Sequence, residues 1–396
     1  MKEKKRLLFF AINIGPHGGG SCVTAWALEA LRRDWHVTIL CASYPDFEGA
    51  NKHFGTSLGE EDFTIWQLPF PLRHLDKLDP DPFSAQRLAW LMRYCQSRCH
   101  EYDVVVSTDD EIDFGRPGVQ YTHYPHMERH LQDFETLENL SRGKKFLGLL
   151  TGKVRPWLFI SGIKLSRIRR NLMVTNSHWT ARRINQVYGV DALVLYPPVL
   201  WSGASPDWAE RKPAFVALGR LSPDKRLMEL IAIIERVRER GFAVELEIIG
   251  NEDQVAGQAF IRQLEARIAQ AGDWVHLHES INRQELEAVV SACRFGIHAM
   301  IDEHFGIAVA EMMRAGCVVF VPDNGGQVEI IGDEPGLRYG SDDDAVEKIC
   351  KLLMDEKEQS RLQSSLGLRS ENFSETKFMA GMREVVADFA SKPVRA

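Results

Sequence analysis

Short apolar runs alternate with stretches of helical periodicity along the whole chain, and this alternation most constrains its fold. In the first half the runs are 6–12, 36–42, 63–68, 103–107, 119–122 and 172–175, with helical patterns over 22–33 and 84–100. In the second half they are 214–218, 244–249, 274–277, 295–299 and 318–321, with helical patterns over 226–240, 258–271, 283–292 and 345–354. Runs this short and this apolar suit strands buried on both faces of a parallel sheet. Parallel neighbours need crossover helices, so the order implies repeated βαβ units and the α/β class. A chain of 396 residues exceeds what one core holds, which predicts two domains. The stretch 196–213 (YPPVLWSGASPDWAERKP) is rich in Pro, Gly and Ser and lacks periodicity. The expected division is therefore a domain over 1–197, a linker over 198–213, a second domain over 214–373 and a last helix over 374–396.

Composition excludes several classes. Hydrophobic residues at 44% and charged residues at 26% are ordinary for a soluble globular protein. A net charge of -7 argues against general nucleic-acid binding. Seven scattered cysteines without a CxxC pair fit a reducing compartment, hence a cytoplasmic location. Cys95 and Cys99, four apart on a helical pattern, read as core. The N-terminal apolar run is too short for a signal peptide and reads as the first strand. No segment is long enough to cross a bilayer.

Chemistry concentrates at 296–329, GIHAMIDEHFGIAVAEMMRAGCVVFVPDNGGQVE. Phe295 to Met300 reads as a buried strand and Ile307 to Arg314 as the next helix. Glu303 then stands on the loop at the strand's carboxyl end, where open α/β sheets bind ligands. Glu311 lies on the helix, whose first N–H groups near Gly306 and Ile307 suit a phosphate. The Glu-x7-Glu spacing with Phe305-Gly306 inside it, followed by Ala315-Gly316 and Gly325-Gly326, resembles the donor segment of retaining glycosyltransferases of family 4 (glycosyl transferases group 1). Their architecture is GT-B, two Rossmann-like parallel-sheet domains facing each other across a cleft. The wording GIHAM, EHFGI and GG is most similar to the Alg11-type α-1,2-mannosyltransferases, which act on lipid-linked oligosaccharides. The competing reading, two ordinary solvated carboxylates, leaves the register of the other motifs unexplained.

The resemblance implies roles for four motifs. Gly219-Arg220-Leu221-Ser222-Pro223-Asp224-Lys225 follows a strand and opens a helix; in such enzymes Arg220 and Lys225 bind the donor diphosphate. Cations placed there stabilise the charge that the leaving diphosphate develops. Glu303 and the backbone at Phe305, Gly306 and Ile307 would grip the hexose, and Glu311 the ribose diol. The glycine loop Ile14–Gly20 lets backbone approach a ligand closely, and Gly19 and Gly20 would contact phosphates or acceptor. His123, after the run 119–122, matches a family histidine that contacts the donor sugar, whereas His126 and His130 read as surface or acceptor-side residues. Val174 to Thr180 ends a strand and caps a helix in the family's manner. The last helix would cross back onto the first domain.

Two further stretches need an account. Thr108–Asp113 (TDDEID) resembles an acidic metal cluster after a strand, and oxygen ligands suit Mg²⁺ or Mn²⁺. It lies in the other domain, and Arg220 and Lys225 already supply positive charge, so no metal and no cofactor beyond the donor substrate is expected. Asp342-Asp343-Asp344 reads as a helix N-cap cluster. The stretch 142–170 is basic and apolar without Asp or Glu, which suits either core helices with basic faces or peripheral contact with an anionic membrane. Gly152 and Pro156 exclude a spanning helix. The expected function is α-retaining transfer of a hexose, mannose from GDP-mannose, to a glycan or lipid-linked saccharide. The alternatives are a UDP-sugar donor on the same fold, a nonhydrolysing nucleotide-sugar epimerase, for which acid/base carboxylates are lacking, and an inactive nucleotide-sugar-binding partner.

Overall fold

The computed structural model describes residues 4–16, 18–68, 85–138, 140–151, 155–203, 205–252 and 257–392. The chain forms two compact units, Met1–Pro198 with Glu375–Ala396, and Val199–Ser374.

Among the described residues the first unit holds seven parallel strands: β1 (Arg6–Ala11), β2 (His36–Cys41), β3 (Phe63–Gln67), β4 (Val104–Ser107), β5 (Val119–Thr122), β6 (Leu172–Thr175) and β7 (Ala192–Val194). Its helices are α1 (Gly18–Leu31), α2 (Phe47–Phe54), α3 (Ala85–Arg98), α4 (Leu131–Glu138), α5 (Arg142–Leu150), α6 (Pro156–Ser161), α7 (Leu165–Ile168) and α8 (His178–Tyr188). The strand order is β3-β2-β1-β4-β5-β6-β7. β1 sits centrally because Leu7 to Ala11 are all apolar and fully buried. Cys95 and Cys99 lie in the same core as Leu8, Phe10 and Phe114. Ser177 caps α8 by accepting from the Thr180 N–H at 3.0 Å.

The second unit holds six parallel strands: β8 (Lys212–Leu218), β9 (Glu245–Gly250), β10 (Val275–Glu279), β11 (Cys293–Ile297), β12 (Val318–Pro322) and β13 (Arg338–Tyr339), in the order β10-β9-β8-β11-β12-β13. Its helices are α9 (Leu227–Glu239), α10 (Gly257–Ala271), α11 (Arg283–Ala292), α12 (Ile307–Arg314), α13 (Gln327–Ile331), α14 (Asp342–Leu353) and α15 (Glu356–Ser370). The chain then returns to the first unit as α16 (Glu375–Ser391). There Phe378 meets Tyr121 edge-on at 6.3 Å, and the Arg383 Nε–H donates to the Ala30 carbonyl at 2.7 Å.

In both sheets the strand order reverses beside the first strand, between β1 and β4 and between β8 and β11. The carboxyl ends of such a strand pair diverge and leave a crevice, the usual ligand position of open α/β sheets. The described residues 12–16, the start of α1 and Thr108 to Asp110 follow β1 and β4, so Gly18, Gly19 and Gly20, expected in a loop, belong to the helix; Gly219 to Lys225 and His298 to Glu303 follow β8 and β11.

Several expectations are corrected. β11 ends at Ile297, so His298, Ala299 and Met300 belong to the loop. The N-cap of α14 is Ser341, and Asp342, Asp343 and Asp344 form its first turn, where negative charge favours the helix dipole. Two short strands, β7 and β13, and the polar helix α15 had not been anticipated. From Val199 onward the stretch before β8 packs on the second unit: the Ser202 hydroxyl bonds Glu287 at 3.0 Å, and Ser205 donates to the Ala315 carbonyl at 2.9 Å.

Candidate active site

The loop after β8 carries Lys225 back across the sheet's carboxyl edge to the loop after β11. Its ammonium stands 2.6 Å from Glu303 Oε2 and 3.2 Å from Met300 Sδ. The imidazole of His298, buried at 4% exposure, places Nε2 3.2 Å from the same carboxylate oxygen. Lys225, 78 positions before Glu303, thus converges with His298 and Glu303 where the strand order reverses. Burial opposes the charge on Glu303, but the His298 hydrogen bond and the Lys225 ammonium more than offset it and hold this carboxyl well below its usual range. Glu303 therefore stays ionised in neutral solution and accepts hydrogen bonds; it is not a proton donor.

His298 is itself fixed. Its N–H donates to the Phe320 carbonyl at 2.9 Å, and its carbonyl accepts from the Tyr339 hydroxyl. The Gly-Gly turn shapes the other side of the loop. Gly326 donates its N–H to the Glu303 carbonyl at 2.7 Å. A Cβ on Gly326 would lie 2.2 Å from the His304 carbonyl oxygen, and one on Gly325 (φ +84°) 2.6 Å from that of Glu303. Only glycine permits this close approach, which explains the pair at 325–326. α12 starts after Gly306, whose φ of +104° also favours glycine, and Phe305 is buried edge-on against Phe373 at 5.6 Å. The backbone N–H groups of Ile307 and its neighbours open a helix beside Glu303, the arrangement that favours an anion.

Glu311 has a partner that the sequence did not suggest. The Arg283 guanidinium, at the start of α11, lies 2.6 Å from Glu311 Oε1 and 2.8 Å from Glu287 Oε1, and donates to the Leu200 carbonyl at 2.6 Å. It also stands 5.5 Å over the Trp201 ring. Burial raises the Glu311 carboxyl above its usual range, and Arg283 only partly counters it. Arg220 is exposed and 3.4 Å from Asp224, so Lys225 rather than Arg220 makes the contact with Glu303.

In the first unit, His123 follows β5. Its N–H donates to Asp110 at 2.7 Å, and its ring Nε2 lies 3.1 Å from the Thr108 carbonyl. A Cβ on Gly20 would meet that ring at 3.6 Å, so the amino end of α1, with Gly19 and Gly20, adjoins His123. The acidic stretch is committed to structure. Asp109 accepts from the Ile12 N–H at 2.5 Å, and burial pushes its carboxyl up to about 7. Asp110 caps His123 and Tyr124, Glu111 accepts from the Tyr188 hydroxyl, and Asp113 pairs with Arg167 at 2.6 Å. His126 lies 3.7 Å from Asp110 and His130 lies 3.5 Å from Asp133. His298 and Arg283 were missed by sequence reasoning. The available signal was position: His298 is five residues before Glu303 at a strand end, and Arg283 opens a helix behind a capping Asn282.

Comparisons with known proteins bear on the family and the fold. The family model of glycosyl transferases group 1 matches residues 204–365, most of the second unit. HepE of Anabaena, solved in complex with UDP and glucose, superposes with a TM-score of 0.64 at 16% identity, covering 97% of this chain and 100% of that one. A glycosyltransferase from Rickettsia africae gives 0.64 at 14% identity, covering 99% and 100%. The second unit is a glycosyl transferases group 1 domain, and the chain has the GT-B fold. Among curated proteins, the GDP-Man:Man(3)GlcNAc(2)-PP-Dol alpha-1,2-mannosyltransferase of Dictyostelium discoideum is 26% identical over 227 residues, 52% of this chain and 45% of that protein. The Caenorhabditis elegans protein of that name is 26% identical over 265 residues, 60% and 56% of the two chains. The chain thus spans about half the length of the curated relatives it matches.

Proposed function

We propose that this protein is a retaining glycosyltransferase that moves mannose from GDP-mannose to a lipid-linked or other glycan acceptor in α linkage. One observation carries the reading: an ionised carboxylate, Glu303, held by Lys225 and His298 at the reversal point of a glycosyl transferases group 1 domain. The named relatives supply the donor and the acceptor class. Glu303 accepts from hexose hydroxyls. Lys225 and Arg220 meet the diphosphate, with the N–H groups after Gly306. Arg283 holds one oxygen of Glu311 and leaves the other to accept from a ribose diol. In the first unit, His123, Gly19 and Gly20 serve the donor sugar and phosphates or the acceptor.

No side chain is placed as a covalent nucleophile. The acceptor oxygen bonds to the anomeric carbon on the face from which the diphosphate leaves. The bond from that carbon to the phosphate oxygen breaks, and the departing oxygen takes the acceptor's proton. Lys225 stabilises the charge that develops there, which is the step where fixed cations help most. No metal is assigned to this step.

Among the described residues no helix is long and apolar enough to cross a membrane. Phe146, Leu147, Leu150 and Phe159 are nevertheless exposed, and the Phe146 and Phe159 rings stand 6.4 Å apart. Lys144, Arg155 and Lys164, in or beside the same stretch of sequence, are exposed too. An apolar patch within basic residues fits peripheral contact with an anionic bilayer that presents a lipid-linked acceptor. Leu150→Glu should then weaken binding to phosphatidylglycerol vesicles without changing turnover on a soluble acceptor.

A panel of nucleotide sugars tests the donor. GDP release from GDP-mannose, above that from UDP-glucose and UDP-N-acetylglucosamine, is expected. Preference for a UDP-sugar would move the protein to the alternative donor. Epimerised product without acceptor would replace transfer with isomerisation.

A further inference from the structure

Far from Lys225 along the same sheet, three potential ligands converge on its outer edge. Glu245 and Glu247 are two apart on β9 and so project from one face. His276 on β10 is directly opposite Glu247 in the parallel register. One donor atom from each of the three lies within 4.8 Å of the others. Glu247 is buried at 6% exposure, and its Oε2 accepts from His278 Nε2 at 2.6 Å. The side chains of Glu245 and His276 make no hydrogen bond or ion pair with another described residue, and Lys212, at the start of β8, forms no ion pair with either glutamate. Two carboxylates so close repel each other unless something neutralises them.

We propose that Glu245, Glu247 and His276 bind one divalent transition-metal ion, with Zn²⁺ as the best match. Two carboxylates balance the ion's charge. The imidazole favours zinc and its neighbours over Mg²⁺ and Ca²⁺, which prefer an all-oxygen shell. Donors on one tetrahedral ion at roughly 2.1 Å are about 3.4 Å apart, so side-chain rotations that bring the donor atoms up to about 1.4 Å closer close the set. His278 then plays the usual outer part, fixing the carboxylate that ligates. The site joins edge strand β10, which pairs with β9 alone, to the body of the sheet. Glu245 begins β9 and Gly250 ends it. At about 3.3 Å per residue, Glu245 is about 16 Å from the carboxyl edge that carries the donor site. The ion therefore has a structural role and takes no part in sugar transfer.

Calorimetric titration of the full chain with Zn²⁺, after chelator treatment, tests this, with melting temperature as a second readout. Glu245→Gln and His276→Ala alter half-buried side chains and are chosen over the buried Glu247. The wild type should bind one Zn²⁺ at this site and melt higher with it. Each variant should bind at least about tenfold more weakly and lose most of that rise, and His278→Gln should cost roughly 10- to 100-fold. Absence of saturable Zn²⁺ binding by the wild type would overturn the proposal. So would unchanged affinity in both variants, or Mg²⁺ binding as tightly as Zn²⁺.

Discussion

Two acidic stretches follow a strand at a point where the strand order reverses, Asp109 to Asp113 in the first unit and Asp302-Glu303 in the second, and their environments have opposite effects. Asp109 is buried against a backbone N–H, and its carboxyl is pushed up to about 7. Glu303 is also mostly buried, yet an ammonium and an imidazole hold it well below its usual range. Asp110, Glu111 and Asp113 likewise spend their oxygens on N–H groups, a tyrosine hydroxyl and an arginine within the fold. Burial alone raises a carboxyl; it takes cations to keep one charged and ready for a ligand. The partners of a carboxylate, more than its place in the chain, separate scaffold from site.

The sharpest way to break this contrast is to remove a scaffold carboxylate. Asp113→Ala strands Arg167 and two backbone donors, Lys164 and Gly115, and should cost about 3 to 5 kcal/mol in denaturant unfolding. Turnover per folded molecule should stay near normal. A stable but inactive Asp113 variant would move this stretch into the chemistry.

Removing a site cation should do the reverse. Lys225→Ala should lower kcat by a factor corresponding to about 2 to 4 kcal/mol of transition-state stabilisation, measured with GDP-mannose, with a smaller effect on unfolding. Near-normal turnover in this variant would end the assignment of Lys225.

The two carboxylates should also bend the stability–pH curve in opposite directions. Asp109 binds its proton more tightly folded than unfolded, so its contribution is complete below about pH 4 and is lost as pH rises towards 7. Glu303 binds its proton more weakly when folded, so its contribution is present above about pH 4.3 and is lost as pH falls below that. In unfolding midpoints measured from pH 3 to pH 8, Asp109→Asn should flatten the neutral side and Glu303→Gln the acid side. Both variants flattening the same side would contradict the environments described. The smallest effect should come from chelation: EDTA should leave the rate of transfer unchanged. Inhibition reversed by Mn²⁺ would reopen the acidic stretch as a metal site.

Much of this was legible in the sequence because buried parallel strands are apolar on both faces. The ends of β5 and β6, at Thr122 and Thr175, and both ends of α11 and α12 were read to the residue. β7 and β13 escaped because they are edge strands of three and two residues, and α15 because EKEQSRLQSSLGLRS buries little. Glu303 could be placed at a strand end, but its partners could not. Lys225 is 78 positions away, and no local pattern encodes that meeting. His298 sits in an apolar run and looked like core, where it is in fact buried; only its aim at Glu303 marks it. Arg283 resembles any cation on a capped helix until Glu311 is found facing it.

The central claim is that the glutamates of the group 1 domain read different parts of one donor, with Glu303 on the hexose and Glu311 on the ribose. Calorimetric titration of Glu303→Gln and Glu311→Gln with GDP alone tests it most directly. Glu311→Gln should weaken GDP by about 1 to 3 kcal/mol, because a charged acceptor to the diol is lost. Glu303→Gln should bind GDP almost as the wild type does and fail only in transfer, since its partner hydroxyls exist only on the sugar. Equal losses in the two variants, or no loss in either, would contradict this division.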